Sequence, residues 1–365
     1  MKKIFYLLPC LLILVSCGAA RGGKTTSQVP AQTQGYVIGF YNLENLFDIY
    51  DDPAKNDEQY LPEGQNKWTE AKYTKKLHNM AQVIRSIRDD NGRYHTVLGV
   101  SEIENRLVLE DLVSQPEIED ANFQIVHYDS PDRRGVDVAL LYDPKTFTYL
   151  DSEEIPFTFE GTSLTPDMTE EEMADFRTRD ILMVRGKIAG EDFAFYVANL
   201  PSRGGGKCGC LRSRGAESIY HHAMALTQKF PGIKIAVMGD MNDDPFDESM
   251  AVLLRGRKDI DAVAAEDFYN PFWSMLENGF GSLCYQGTWS IYDQILLNYN
   301  LAKAPAGGLH VRKIVQDKYY GRVFRKPFMV QESGQYKGYP FRTFSGGAFI
   351  GGYSDHFPTY VIISK

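Results

Sequence analysis

A chain of 365 residues with 43% hydrophobic and 24% charged content holds enough apolar material for a large folded core, which excludes a disordered tail. Net charge is −9, from 48 acidic against 39 basic side chains. No global basic field therefore draws it onto nucleic acid, and any polyanion has to be met by a local patch.

Lys2 and Lys3 precede an apolar run from Ile4 to Val15 that stops at Ser16 and Cys17. This is the pattern of a secretory signal, too short to span a bilayer comfortably. The stretch Leu14-Val15-Ser16-Cys17-Gly18 resembles the lipobox of bacterial lipoproteins. That likeness implies removal of residues 1–16, lipidation of Cys17 and an anchor in the cell envelope; a soluble secreted protein is the alternative. Residues 17–34 are rich in Gly, Ala, Thr, Ser and Gln and read as a flexible tether. Residues 35–365 carry no internal repeat and no second linker, so a single, monomeric catalytic domain is expected.

Short β-rich runs follow at Val37 to Asn42, Val97 to Val100, Phe123 to Tyr128, Val136 to Tyr142, Ile181 to Ile188, Phe193 to Asn199, Ile235 to Met238, Tyr292 to Leu297 and Tyr360 to Ile363. Their apolar character suggests strands buried on at least one face. Amphipathic segments at Glu70 to Arg88, Arg106 to Val113 and Ser213 to Phe230 carry apolar residues at helical spacing. Strands outnumber helices about two to one, which does not suit a doubly wound alternation and favours two packed sheets with helices outside. Cys208, Cys210 and Cys284 remain after Cys10 leaves with the signal and Cys17 takes lipid. One disulfide and one free thiol is the simplest outcome in an oxidising compartment, and the Cys-x-Cys pair lacks the further ligands of a zinc site.

Polar residues recur just past the buried runs. Asn42 and Glu44 follow the first, Glu102 the second, Asp240 and Asn242 the run at Ile235; Asp355 and His356 precede the last. Taken singly, each has an ordinary reading: an Asp-x-Asn turn, a carboxylate at a helix start, a satisfied histidine. Gathered at strand ends they form a rim suited to ligand binding.

In order and context these stretches resemble the endonuclease/exonuclease/phosphatase family, also called the deoxyribonuclease I-like fold. The likeness runs from about Tyr36 to the C-terminus, through Phe40-Tyr41-Asn42-Leu43-Glu44-Asn45, Gly99-Val100-Ser101-Glu102-Ile103, Arg134-Gly135-Val136-Asp137-Val138-Ala139-Leu140-Leu141-Tyr142, Met238-Gly239-Asp240-Met241-Asn242-Asp243, Tyr292-Asp293-Gln294-Ile295-Leu296-Leu297 and Ser354-Asp355-His356-Phe357-Pro358. The block Asn42 to Trp68 looks like the branch of secreted bacterial members. The resemblance implies a four-layer α-β-β-α sandwich of two mixed, mostly antiparallel sheets, and a metal-dependent hydrolase of phosphate esters.

It also implies roles. Glu102, with Asn42 and Asp355, is expected around one Mg²⁺, Mn²⁺ or Ca²⁺ ion, because oxygen donors suit hard cations. Asn42 is expected to reach the ion or the substrate phosphate, Asp240 to orient or deprotonate the attacking water, and Asn242 to bond a phosphoryl oxygen. His356 is expected to donate to an oxygen gaining charge, and Asp293 to hold a catalytic neighbour. Arg203, Lys207 and Arg212, in a glycine-rich stretch with Arg214, are read as a substrate-phosphate patch, against a plain basic surface loop.

One departure stands out: where many family members carry a histidine beside the asparagine, this chain reads Asn199-Leu200-Pro201. The functions left open are a nuclease on DNA or RNA, a phospholipid or sphingolipid phosphodiesterase, an inositol or sugar phosphatase, and a surface lipoprotein that binds without turnover.

Overall fold

The structure, a computed structural model, describes Met1 and residues 35–365 apart from 163, 165, 167, 207 and 315–317. The expected signal peptide, the lipidation site Cys17, the tether and Lys207 lie outside the described residues. The chain runs β1 (Tyr36–Leu46), α1 (Glu70–Asn91), β2 (His95–Ile103), α2 (Arg106–Val113), β3 (Gln124–His127), β4 (Asp137–Tyr142), β5 (Thr148–Ile155), α3 (Glu170–Asp175), β6 (Ile181–Ile188), β7 (Glu191–Asn199), α4 (Gly209–Lys229) and β8 (Lys234–Asp240). It continues through β9 (Gly256–Arg257), β10 (Phe268–Tyr269), α5 (Pro271–Glu277), the hairpin β11 (Leu283–Tyr285) and β12 (Thr288–Ser290), β13 (Asp293–Asn298), α6 (Tyr299–Lys303), β14 (His310–Val311), β15 (Gly321–Val323), the hairpin β16 (Phe344–Ser345) and β17 (Ala348–Phe349), and β18 (Thr359–Ser364).

One sheet has the order β14-β18-β1-β2-β4-β3, with β15 also on β18; the other has the order β5-β6-β7-β8-β13-β10-β9. Only β1–β2, β7–β8 and β9–β10 pair in parallel, and every other named pair is antiparallel.

Side chains of the second sheet divide between two apolar surfaces with the period of a strand. Phe193, Phe195 and Val197 of β7 join the large core between the sheets, whereas Ala194, Tyr196 and Ala198 join Ala216, Ile219 and Ala223 of α4 on the outer side. The sheets approach closely at Gly99 of β2, where a Cβ would lie 2.6 Å from Met238 Sδ on β8. On the outside of the first sheet α1 buries Tyr73, Leu77, Met80, Ile84 and Ile87, a stripe at spacings of three and four. It stops at Gly92, whose φ of 68° forms a left-handed cap. The result is the expected four-layer α/β sandwich.

Register brings the chemistry to one end of both sheets. Phe40 of β1 pairs with Thr359 of β18, so Asn42 meets the segment holding Asp355 and His356. In the second sheet Asp240 pairs with Asp293 on one side and Asn199 on the other.

Candidate active site

The strands are irregular at this end. The β1–β2 register shifts between Asn42 and Leu46, and the β2–β4 register between Ser101 and Ile103. Glu44, Asn45, Glu102 and Asn242 all have φ between 49° and 58°, a left-handed conformation that costs non-glycine residues energy and concentrates at functional sites. The bulges turn the polar side chains toward one another.

Asn42 is fully buried and stands at the centre. Its Nδ2 donates to Glu102 Oε1 at 3.1 Å and to Asp240 Oδ2 at 3.0 Å, and its Oδ1 accepts the Glu44 amide at 2.8 Å. Glu102 Oε2 accepts the Asn45 amide at 3.0 Å. Asn42 therefore presents its donor end to the carboxylates and aligns them. Its oxygen, expected to reach the ion or the substrate phosphate, accepts here from the Glu44 backbone.

His356 lies against the second sheet, its Nδ1 2.7 Å from Asp293 Oδ2. Its amide donates to Ser354 Oγ at 3.1 Å, and that hydroxyl donates to Asn42 O at 2.8 Å, which ties the histidine loop to β1. Burial opposes a charge on His356. The carboxylates of Asp293 and Asp240, the hydrogen bond to Asp293 and the charge of Asp355 outweigh it and hold the imidazolium well above the ordinary histidine range. Asp240 is pushed up to about 7, first by burial and then by Asp293 and Glu102, against the lowering effect of His356.

Asp355 Oδ2 accepts from Arg342 Nη2 at 3.0 Å, and its Oδ1 is 3.9 Å from His356 Nε2. Arg342 Nε also reaches Glu44 Oε1 at 3.0 Å. Glu44, buried, further accepts from the Thr343 amide at 2.7 Å and faces buried Lys76 at 3.6 Å. Burial raises the Glu44 carboxyl above the usual range and lowers the Lys76 ammonium. Lys76 and Arg342 were not singled out in the sequence, since they sit far along the chain from the residues they bond.

Two members of the expected phosphate patch have another task. Arg203 donates from Nε to Asn242 O at 2.9 Å and from Nη2 to Asp243 Oδ1 at 2.8 Å. Arg212 is buried, with Nε 2.7 Å from the same Asp243 oxygen. Both arginines thus neutralise Asp243 and brace the turn that carries Asp240 and Asn242. Arg214 bonds Thr158 O, Glu160 O and Glu217.

Asn242 Nδ2 donates to Leu200 O at 2.9 Å, so its amide braces β7 in this state. Leu200 itself is buried in the apolar layer beneath α4, where a Cβ on Gly215 would lie 2.4 Å from its Cδ2. Beside it, the buried guanidinium of Arg179 donates to Asn199 O at 3.0 Å, Asn199 Oδ1 at 3.2 Å, Leu200 O at 3.0 Å and Asp132 Oδ2 at 3.3 Å. Arg179, preceding the apolar β6 within Thr178-Arg179-Asp180, gave no spacing signal of its own.

Cys208 and Cys210 are joined as a disulfide and Cys284 is free. Among the described residues, His127, Asp129 and Asp137 bring three ligating atoms within 4.8 Å of one another, although His127 Nε2 is already 3.0 Å from Asp137 Oδ2. The backbone of Asp137 pairs with Ile103, the residue after Glu102.

Residues 37–365 match the model of the Endonuclease/Exonuclease/phosphatase family. The chain belongs to that family. No curated protein matches it. Among solved structures it is similar to an endonuclease/exonuclease/phosphatase family protein from Bacteroides thetaiotaomicron, with TM-score 0.52 and 15% identity over 91% of this chain and 98% of the other. A mannosyl-6-phosphatase from B. thetaiotaomicron VPI-5482 aligns with TM-score 0.51 and 15% identity, over 90% and 100%. Humanized D. rerio TDP2 aligns with TM-score 0.50 and 13% identity, over 91% and 99%. At these identities the structural likeness establishes the fold, and family membership rests on the sequence match.

Proposed function

We propose that this family member is a divalent-metal-dependent hydrolase of phosphate esters, held at the cell envelope by lipid on Cys17. The observation that carries the reading is the meeting of Glu102 and Asp240 on one amide, Asn42, beside the His356–Asp293 pair. The mannosyl-6-phosphatase structure shares the fold and is a phosphatase by name.

The donor set fits a hard cation: Glu102 and Asp355 offer carboxylate oxygens, both are partly exposed, and the cluster has more carboxylates than bases. When bound, Mg²⁺, Mn²⁺ or Ca²⁺ would neutralise charge on the phosphoryl oxygens. Glu102 and Asp355 would hold it, with Asn42 fixing the Glu102 rotamer. Asp240, with a proton affinity near neutrality, is matched to taking a proton from water. His356, held in its charged form by Asp293, is matched to donating to the phosphoryl group as negative charge builds there. Asn242 stands at the Asp240 turn and would turn its amide to a phosphoryl oxygen once substrate competes for it.

The reading is tested with the full chain in detergent, incubated with p-nitrophenyl phosphate, its bis-aryl diester, plasmid, RNA and sphingomyelin. Hydrolysis that chelator stops and Glu102→Ala eliminates is expected. No turnover on any substrate with any of the three metals would favour the binding lipoprotein, for which Leu200 is the motivating residue. The anchor is supported by the N-terminal sequence alone; no helix of the described residues is long and apolar enough to cross a membrane. Palmitate should label the wild type and not Cys17→Ser.

A further inference from the structure

A cavity of about 1020 Å³ counts Asp355 and Arg342 of the candidate site among its lining residues. Its walls come from three loops: the tip of the β11–β12 hairpin with Tyr285 and Gln286, the segment with Gln331, Gln335, Tyr336 and Tyr339, and the β16–β17 hairpin. Glycines shape both hairpin tips, with φ of 85° at Gly287 and 56° and 78° at Gly346 and Gly347. Tyr336 and Tyr339 set their rings 5.6 Å apart at 57°. Tyr285 and Tyr336 are 71% and 47% exposed.

The wall chemistry is the informative feature. Among the described lining residues the only charges are Arg342 and Asp355, and these two neutralise each other at 3.0 Å. The rest is carboxamide, phenol, the Ser345 hydroxyl, the Cys284 thiol, glycine and apolar surface. A nucleic acid strand brings one phosphate per nucleotide and is held by grooves lined with Lys and Arg; these walls supply none free. Carboxamides and phenols each donate and accept, which matches hydroxyl groups, and tyrosine faces cover the C–H faces of a saturated ring. The amides are weakly engaged internally: Gln286 Nε2 reaches Tyr285 OH at 3.3 Å and Gln331 Nε2 reaches Ser333 O at 3.4 Å.

We infer that this cavity receives the alcohol part of the substrate, and that this part is a neutral, hydroxyl-rich ring, a sugar or a cyclic polyol, with its phosphate pointing to Asp355 and His356. The inference rests on the phosphoesterase reading and narrows its substrate class.

The test uses the full chain with mannose 6-phosphate, myo-inositol 1-phosphate, a single-stranded oligonucleotide, sphingomyelin vesicles and p-nitrophenyl phosphate, and compares wild type with Tyr336→Ala and Gln335→Ala on the exposed loop. One of the two ring phosphates is expected to have kcat/KM at least about tenfold above the oligonucleotide and the vesicles. Either variant is expected to raise its KM about tenfold while leaving its kcat within about twofold. Preference for the oligonucleotide or the vesicles, or unchanged KM in both variants, overturns the inference. If no substrate turns over, the phosphoesterase reading fails on its own. Saturation-transfer NMR of mannose 6-phosphate and myo-inositol 1-phosphate on Glu102→Gln protein still decides the pocket: binding that Tyr336→Ala removes supports it, and binding absent or insensitive to Tyr336→Ala refutes it.

Discussion

His356 Nδ1 lies 2.7 Å from Asp293 Oδ2, both side chains being buried. The carboxylate fixes the ring orientation and favours its charged form. Replacing Asp293 with Asn keeps the shape but removes the charge, so kcat is expected to fall on the order of 10⁴-fold with KM little changed, by analogy with other histidine–carboxylate pairs. The basic limb of the pH–rate profile should also move to lower pH. A variant that loses activity without that displacement would show Asp293 to be merely structural.

The acidic limb belongs to Asp240. Burial pushes its carboxyl up to about 7, and it accepts a proton only when ionised, so kcat/KM should rise as pH passes about 7. Because His356 stays protonated well above the ordinary histidine range, activity should hold on the alkaline side before declining. A profile already flat below pH of about 5, at saturating metal, would remove Asp240 as the base.

Metal binding should register without turnover. With Mg²⁺ or Mn²⁺ at about 100 times its dissociation constant, linkage predicts about 2.7 kcal/mol of added stability, read as a rise in Tm by calorimetry. Glu102→Gln should abolish that rise, because a carboxamide neutralises no cation charge. An equal rise in the variant would place the ion elsewhere, for instance at His127, Asp129 and Asp137.

Arg203 and Arg212 converge on Asp243 Oδ1. Replacing both arginines with Ala strands a buried carboxylate and should destabilise the fold by about 3 kcal/mol. Chemical denaturation would detect this, and kcat should fall through loss of the Asp240 turn while KM changes little. A large KM effect with unchanged stability would restore the phosphate-contact reading.

Glu104 provides a stability test apart from chemistry. Burial, then the neighbouring charges of Asp48, Asp57 and Asp52, push its carboxyl up to about 8, against the hydrogen bond from the Asp48 amide. The folded protein therefore holds this proton where the unfolded chain has lost it. Its contribution to stability is present below the unfolded value and is lost as pH rises through about 8. Glu104→Gln should flatten that decline and raise Tm in alkaline buffer, and a Tm difference independent of pH would contradict the shift.

How legible all this was in the chain varies by element. β6 and α2 have the bounds that the sequence suggested, Ile181–Ile188 and Arg106–Val113, because each carries an uninterrupted apolar signal at its own period. β5 was not anticipated: Thr148–Ile155 is an exposed or half-exposed strand carrying Asp151, Glu153 and Glu154, and only its pairing with β6 makes it a strand. Propensity alone does not describe such edges.

The same division holds at the site. Asn42, Glu102, Asp240, Asp355 and His356 could be picked out because each stands beside an apolar run, where a sandwich exposes rigid polar groups, and Asp293 through the family resemblance. The partner of each charge could not. Arg342 reaches Glu44 across 298 residues and Arg203 reaches Asp243 across 40, so a motif that looked like free positive charge is already neutralised. Local sequence determines period, turns and side-chain chemistry, whereas Coulomb attraction falls with distance in space, and that distance is decided only when the two sheets pack.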